Sequence, residues 1–181
     1  AACRTAVETT QRLRVLVNEV TAVLRDEAVG AANYTVPAGE IVEAARARAR
    51  PMAERAGVEL NVLATESLKV SARTANLAGL VIANLVANAI EACPAGAVVT
   101  IEARRTAEGI DFLVRDAGPG LPEAVRTGLF RPVRSGKPGG GGVGLAISLR
   151  LARHAGGDLQ LVHSDPRGTE FRLTVPAAAA A

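Results

Sequence analysis

The chain has 181 residues, enough for one domain with an appendage, and 49% of them are hydrophobic, enough for a buried core. Three Phe, one Tyr and no Trp leave that core to Val, Leu, Ile and Ala. The net charge is +3 with acids and bases interleaved, so there is neither a basic block nor an aromatic platform for stacking bases, and no nucleic-acid partner is expected. Cys3 and Cys93 match no metal or redox spacing and read as reduced thiols of a cytosolic protein. No stretch has the length and purity of a membrane span, and no signal peptide is recognisable. With no initiator Met, the chain is expected to be a piece of a longer protein.

Residues 4–27 carry an a/d spacing, Ala6, Thr10, Leu13, Val17, Val20 and Leu24, which predicts a helix in need of a partner helix. "GAANYTVPAGE" breaks that pattern. A second helix is predicted over 38–56, ended by Gly57 and interrupted by Pro51. "VELNVLA" and "LKVSA" read as strands, and a long helix follows over 73–92, stopped by Pro94. "AVVTIEARRT" and "GIDFLVRDAG" alternate around "AEG" as a hairpin. "LPEAVRTGLF" is short and helical, and "RPVRSGKPGGGG" is a loop. "VGLAISLRLARHAGG" is a helix closed by Gly156, before two last strands joined by "DPRG". The terminal "AAAAA" has no pattern and reads as a frayed tail. The order implies an α+β domain with helices on one side of a mostly antiparallel sheet.

The long helix contains "NLVANAIEA". At about 100° per residue, Asn84, Asn88 and Glu91 share a stripe about 60° wide. Ile82, Leu85, Val86, Ala89 and Ile90 occupy the other side, and Leu77, Leu80 and Val81 flank the stripe. A helix this apolar is usually buried, and an unpaired amide inside it costs roughly 1–3 kcal/mol. Either the two amides bond neighbouring loops, or they face a pocket and offer oxygens to a hard cation such as Mg²⁺ or to a polar ligand.

Two glycine signals follow. "DAGPG" (116–120) ends an apolar strand in a tight turn where backbone can approach a ligand. Asp116 at its mouth could accept from an exocyclic amine such as that of adenine. "GKPGGGGVGL" (136–145) leads into a helix whose first amides favour anions, with Lys137 near enough in sequence to reach a phosphate. It is not a P-loop, because no G-K-[ST] follows the glycines. Nor is it a dinucleotide fingerprint, because it follows a loop instead of a parallel strand.

In this order the motifs resemble the ATP-binding domain of sensor histidine kinases, within the gyrase, Hsp90, histidine kinase and MutL superfamily. "NLVANAIEA" looks like the N box, "DAGPG" the G1 box, "LFRPVRSGK" the F box with Phe130 as its aromatic, and "GGGGVGLAI" the G2 box. Val133 stands where a second Phe is common in the F box. The resemblance covers about residues 57–176. It implies a two-layer α/β sandwich of the Bergerat ATPase type with a mixed sheet, residues 31–56 as linker and first helix, and 177–181 as tail. Residues 1–30 resemble the second helix of a dimerisation hairpin, whose first helix with its phosphoacceptor His is absent.

The resemblance further implies ATP and Mg²⁺ as cofactors. Asn88 would coordinate the metal, with Asn84 supporting it or sharing the ion. Asp116 would bind the adenine amine, Gly118 and Gly120 would let the turn pass the base, and Thr169 would approach it. Gly140, Gly142, Val143, Gly144 and Leu145 would hold the phosphates, and Lys137 would add charge near the γ-phosphate. Neither His154 nor His163 fits the phosphoacceptor. The implied partners are a second kinase copy through helix 4–27 and a response regulator receiver domain, in a cytoplasmic setting or on the cytoplasmic part of a membrane-bound sensor, without membrane contact by this segment. Other readings are a serine kinase of the anti-sigma-factor type, a non-catalytic phosphotransfer or scaffold protein, and a gyrase- or MutL-type clamp.

Overall fold

The computed structural model describes residues 34–64, 68–130 and 144–178. The expected helix over 4–27 lies outside them. β1 (Thr35–Pro37) falls in the stretch that the sequence reading left as a pattern break. It pairs antiparallel with β3 (Lys69–Ser71), Val36 opposite Val70. Three residues carry too little alternation to register as a strand without the partner that pairs with them.

α1 (Ala38–Ala56) begins after Pro37 and ends at Gly57, which takes the left-handed conformation at φ 67°. The helix runs on through Pro51. Pro51 and Ala47, whose carbonyl loses its donor, are both exposed, so water can satisfy the group the proline strands. α2 (Ala72–Ala92) starts where the Ser71 hydroxyl accepts from the Thr74 N–H at 3.1 Å. It stops at Cys93, because the residue before a proline is pushed out of the helical region. α2 is the one described helix long and apolar enough to cross a bilayer, yet its apolar side chains form the centre of the protein core.

β2 (Glu59–Ala64), β4 (Val98–Arg105), β5 (Ile110–Asp116), β6 (Asp158–Asp165) and β7 (Gly168–Val175) form one mixed sheet in the order β2-β4-β5-β7-β6. Among the described strands of this sheet only the β2–β4 pair is parallel. The register sets Ile101, Val114 and Phe171 side by side, and beside them Ala103, Phe112, Leu173 and Leu159. These rows meet α1, α2 and α4 (Gly144–His154) in a single core. The short α3 (Glu123–Arg126) follows the "DAGPG" turn.

The opposite face of the sheet is polar. Arg115 on the central strand reaches Glu102 on one neighbour at 2.8 Å and Glu170 on the other. Hydrogen bonding to Glu170 is the main cause that raises the guanidinium's pKa, set against partial burial. On β6 a register shift between Leu161 and His163 leaves Val162 as the extra, exposed residue of a bulge. The tail is less free than its composition suggests: Ala177 is half-buried against the core and the Ala178 N–H donates to Lys69 O at 2.8 Å. Five alanines carry no pattern, but β3 offers an unused carbonyl that the returning chain takes up. Residues 179–181 lie outside the described part.

Candidate functional site

α2 is buried on nearly every side. Ala83, Asn84, Ala87 and Asn88 are half-buried and Glu91 is exposed, so the helix has one open stripe. The two alanines on it leave room beside the two amides. Asn84 and Ala92 are eight residues apart, so the stripe is about 12 Å long. Two other segments close on its ends.

At the Ala92 end lies the turn after β5. The Asp116 Oδ1 accepts from the Gly118 N–H at 2.8 Å and from the Thr169 N–H at 3.2 Å. Two backbone donors on different segments fix that carboxylate, and Thr169 itself is buried. A Cβ added at Gly118 would lie 3.0 Å from the Ala92 carbonyl oxygen, so the turn rests directly on the last turn of α2. Gly120 has φ 77°, and a Cβ there would overlap the Asp165 carbonyl of the β6–β7 turn. The Leu121 N–H donates to Ser164 Oγ at 2.7 Å beside it. The closest neighbours of Gly118 and Gly120 are therefore protein backbone and side chain.

At the other end stands the first turn of α4. Asn84 Nδ2 donates to Ser148 Oγ at 2.9 Å, across 64 residues of chain. A Cβ at Gly144 would lie 3.0 Å from Asn84 Oδ1. Leu145 next to it is half-buried against the core. Between the two ends, the Asn88 carboxamide has no hydrogen-bond partner among the described residues. A half-open amide in such a position suits a ligand that brings its own partner atoms.

The sequence-derived set thus divides. Asn84, Asn88, Asp116, Gly118, Gly120, Gly144, Leu145 and Thr169 lie along or beside one stripe. Lys137, Gly140, Gly142 and Val143 lie outside the described residues. Ser148 was missed. It shares its helix face with Leu151 and Ala152, all three buried, and a hydroxyl on an apolar face signals a partner that the sequence does not name.

Cys93 adjoins the Asp116 turn. Burial pushes its thiol pKa up, the Ala117 backbone hydrogen bond pulls it down, and the Asp116 charge adds to the rise. His154 Nδ1 lies 2.8 Å from Arg150 O in the last turn of α4, and His163 Nε2 lies 3.2 Å from Asp165 on the β6 edge. Neither is on the stripe.

Residues 74–179 match the family described as histidine kinase-, DNA gyrase B-, and HSP90-like ATPases. The chain is 34% identical over 143 residues to the sensor-like histidine kinase SenX3 of Mycobacterium tuberculosis, covering 76% of this chain and 35% of that protein. It is 31% identical over 175 residues to the histidine-protein kinase/phosphatase MprB of Mycobacterium sp. strain KMS, covering 92% of this chain and 33% of that one. It therefore spans about a third of the length of these two relatives. Among solved structures, mycobacterial MprB superposes with a TM-score of 0.67 at 25% identity, over 80% of this chain and 98% of that one. Full-length ShkA in complex with AMPPNP superposes at 0.71 and 25% identity, over 94% of this chain and 37% of that one.

Proposed function

We propose that this chain, which belongs to the histidine kinase-, DNA gyrase B- and HSP90-like ATPase family, holds Mg-ATP along the open stripe of α2 and presents the γ-phosphoryl to a histidine. Its relatives and structural neighbours mark it as the catalytic domain of a two-component sensor kinase. The observation that carries the binding mode is the stripe itself: a fixed carboxylate at one end, an open amide between, and a helix start held by an asparagine at the other. That order suits a nucleotide with its base at Asp116 and its phosphates toward Gly144.

Asp116 accepts from the adenine amine, its orientation held by the Gly118 and Thr169 amides. Gly118 and Gly120 bring the turn close, and Thr169 borders the base. Asn88 would hold Mg²⁺ through its amide oxygen, with Asn84 supporting it or sharing the ion. The ion supplies neutralisation of phosphate charge. Among the described residues no group of three or more His, Cys, Asp or Glu could hold a metal. An amide oxygen such as that of Asn88 would suit Mg²⁺ brought in with the nucleotide. The first amides of α4 at Gly144 and Leu145 face the phosphates, with Lys137, Gly140, Gly142 and Val143 completing the grip. Transfer then depends on positioning and charge.

The acceptor is a histidine on a dimerisation helix, the helix over 4–27 pairs with a second copy, and the phosphoryl passes on to an aspartate of a response regulator, on the cytoplasmic side of the membrane. γ-Labelled ATP tests the division of labour. The chain alone should bind nucleotide and acquire no stable label, because His154 and His163 lie off the stripe. Stable label on this chain would contradict the assignment.

A further inference from the structure

Ser148 hydrogen-bonds to Asn84 and lies outside the glycine and asparagine motifs of the sequence. It is 1% exposed, on the face of α4 that packs against the core. Its hydroxyl accepts from Asn84 Nδ2 at 2.9 Å. A primary amide has one donor end and one acceptor end, so a serine that takes the donor leaves Oδ1 pointing elsewhere. The Oδ1 is the atom nearest to a Cβ added at Gly144, 3.0 Å from it. Gly144 and Ser148 are one helical turn apart and therefore on one face of α4. The Asn84 carboxamide thus lies against the first turn of α4, hydrogen-bonded to Ser148 and close to Gly144, where an added Cβ would lie 3.0 Å from its oxygen and 3.3 Å from its nitrogen.

We propose that Ser148 is a positioning residue of the metal–phosphate end of the site: it holds the Asn84 carboxamide in place and ties the start of α4 to α2. The inference rests on the nucleotide reading above and adds a residue to it. Asn84 is then held by protein through its nitrogen, and its oxygen remains on the side of the α4 start. Asn88, four residues along the same stripe, has no such anchor among the described residues. The two amides of the motif therefore have separate tasks, one fixed by α4 and one left for the ligand. Gly144 has its own place in the arrangement, since a side chain there would press on the amide that Ser148 holds.

The test is calorimetric titration of ADP with and without Mg²⁺, on the unaltered chain and on Ser148→Ala, Asn84→Ala and the double variant. Removing one buried hydroxyl leaves the packing nearly intact, and melting curves without ligand report any general loss. Ser148→Ala is expected to weaken Mg-dependent ADP binding roughly three- to tenfold while Mg-free binding, carried by the base end, moves less than about twofold. The double variant should lose no more than Asn84→Ala alone, because the two groups act as one unit. Ser148→Thr keeps the hydroxyl and should restore most of the Mg-dependent affinity. Equal losses with and without Mg²⁺, no loss at all, or fully additive losses would overturn the assignment of Ser148 and leave the nucleotide reading standing. No binding by the unaltered chain would overturn both.

Discussion

The two ends of the α2 stripe are built differently. At the Ala92 end the contacts are mostly backbone: two N–H groups on the Asp116 carboxylate, a glycine against the helix carbonyl, and another against the β6–β7 turn. At the Asn84 end one side-chain hydrogen bond crosses from α2 to α4, two helices that also pack together in the core. A network of backbone contacts over-determines its geometry, whereas a single neutral hydrogen bond contributes only about 1 kcal/mol net. The Ala92 end is thus fixed by several backbone contacts; on the proposed reading it takes the base, and the Asn84 end takes the phosphates.

The largest expected effect tests the rigid end. Gly120→Ala puts a Cβ at φ 77° into the Asp165 carbonyl, and should cost about 2 kcal/mol or more of stability in urea denaturation. A loss under about half a kcal/mol would mean that the turn gives way easily, and the contrast between the ends would fade. Next comes Asp116→Asn, whose carbonyl oxygen can still accept from Gly118 and Thr169. The fold should survive with nearly the same melting temperature, while ATP affinity falls about tenfold and preference over GTP is lost, from one mispaired buried polar contact. Unchanged discrimination between the two nucleotides would remove the base from this end.

Arg115→Ala separates the site from the far face of the sheet. Its partners Glu102 and Glu170 belong to β4 and β7, and its side chain is 39% exposed. The expected cost is about 1 kcal/mol or less, with nucleotide affinity unchanged. A clear loss of ATP binding in this variant would show that the rigidity of the base end comes from that face.

The smallest effect concerns Cys93. Its raised pKa keeps it a thiol at neutral pH, so iodoacetamide should react more slowly at pH 8 than with an unhindered thiol. Above the ordinary thiol pKa the unfolded chain gives up this proton first, so the group's stabilising contribution is present at lower pH and is lost as the pH rises through the folded value. Replacing the Asp116 charge in Asp116→Asn should quicken alkylation. An unchanged rate would place the carboxylate's influence elsewhere.

Much of this architecture was legible in the sequence, because its elements carry strong local signals. Alternation marked β4 and β5, and Gly57 marked the end of α1. The asparagine stripe was legible because two amides one turn apart stand out on an apolar helix. The wheel could not say which neighbour each amide meets: that depends on where α4 packs, a contact between residues 64 positions apart. For the same reason Ser148 stayed hidden, since a serine in a helix has no local signature. β1 and the pairing of Ala178 with Lys69 escaped because each needs β3 beside it. The glycines of "DAGPG" were legible as a close approach, but the nearest neighbours they meet belong to α2 and the β6–β7 turn.

On the proposed reading, the open Asn88 amide would hold the magnesium ion that accompanies the nucleotide. Titration of ADP into the chain, with magnesium or with chelator, tests it most directly when repeated on Asn88→Ala. Magnesium should tighten binding to the unaltered chain, and the variant should lose this gain while retaining its magnesium-free affinity. An equal gain from magnesium in both proteins would contradict it.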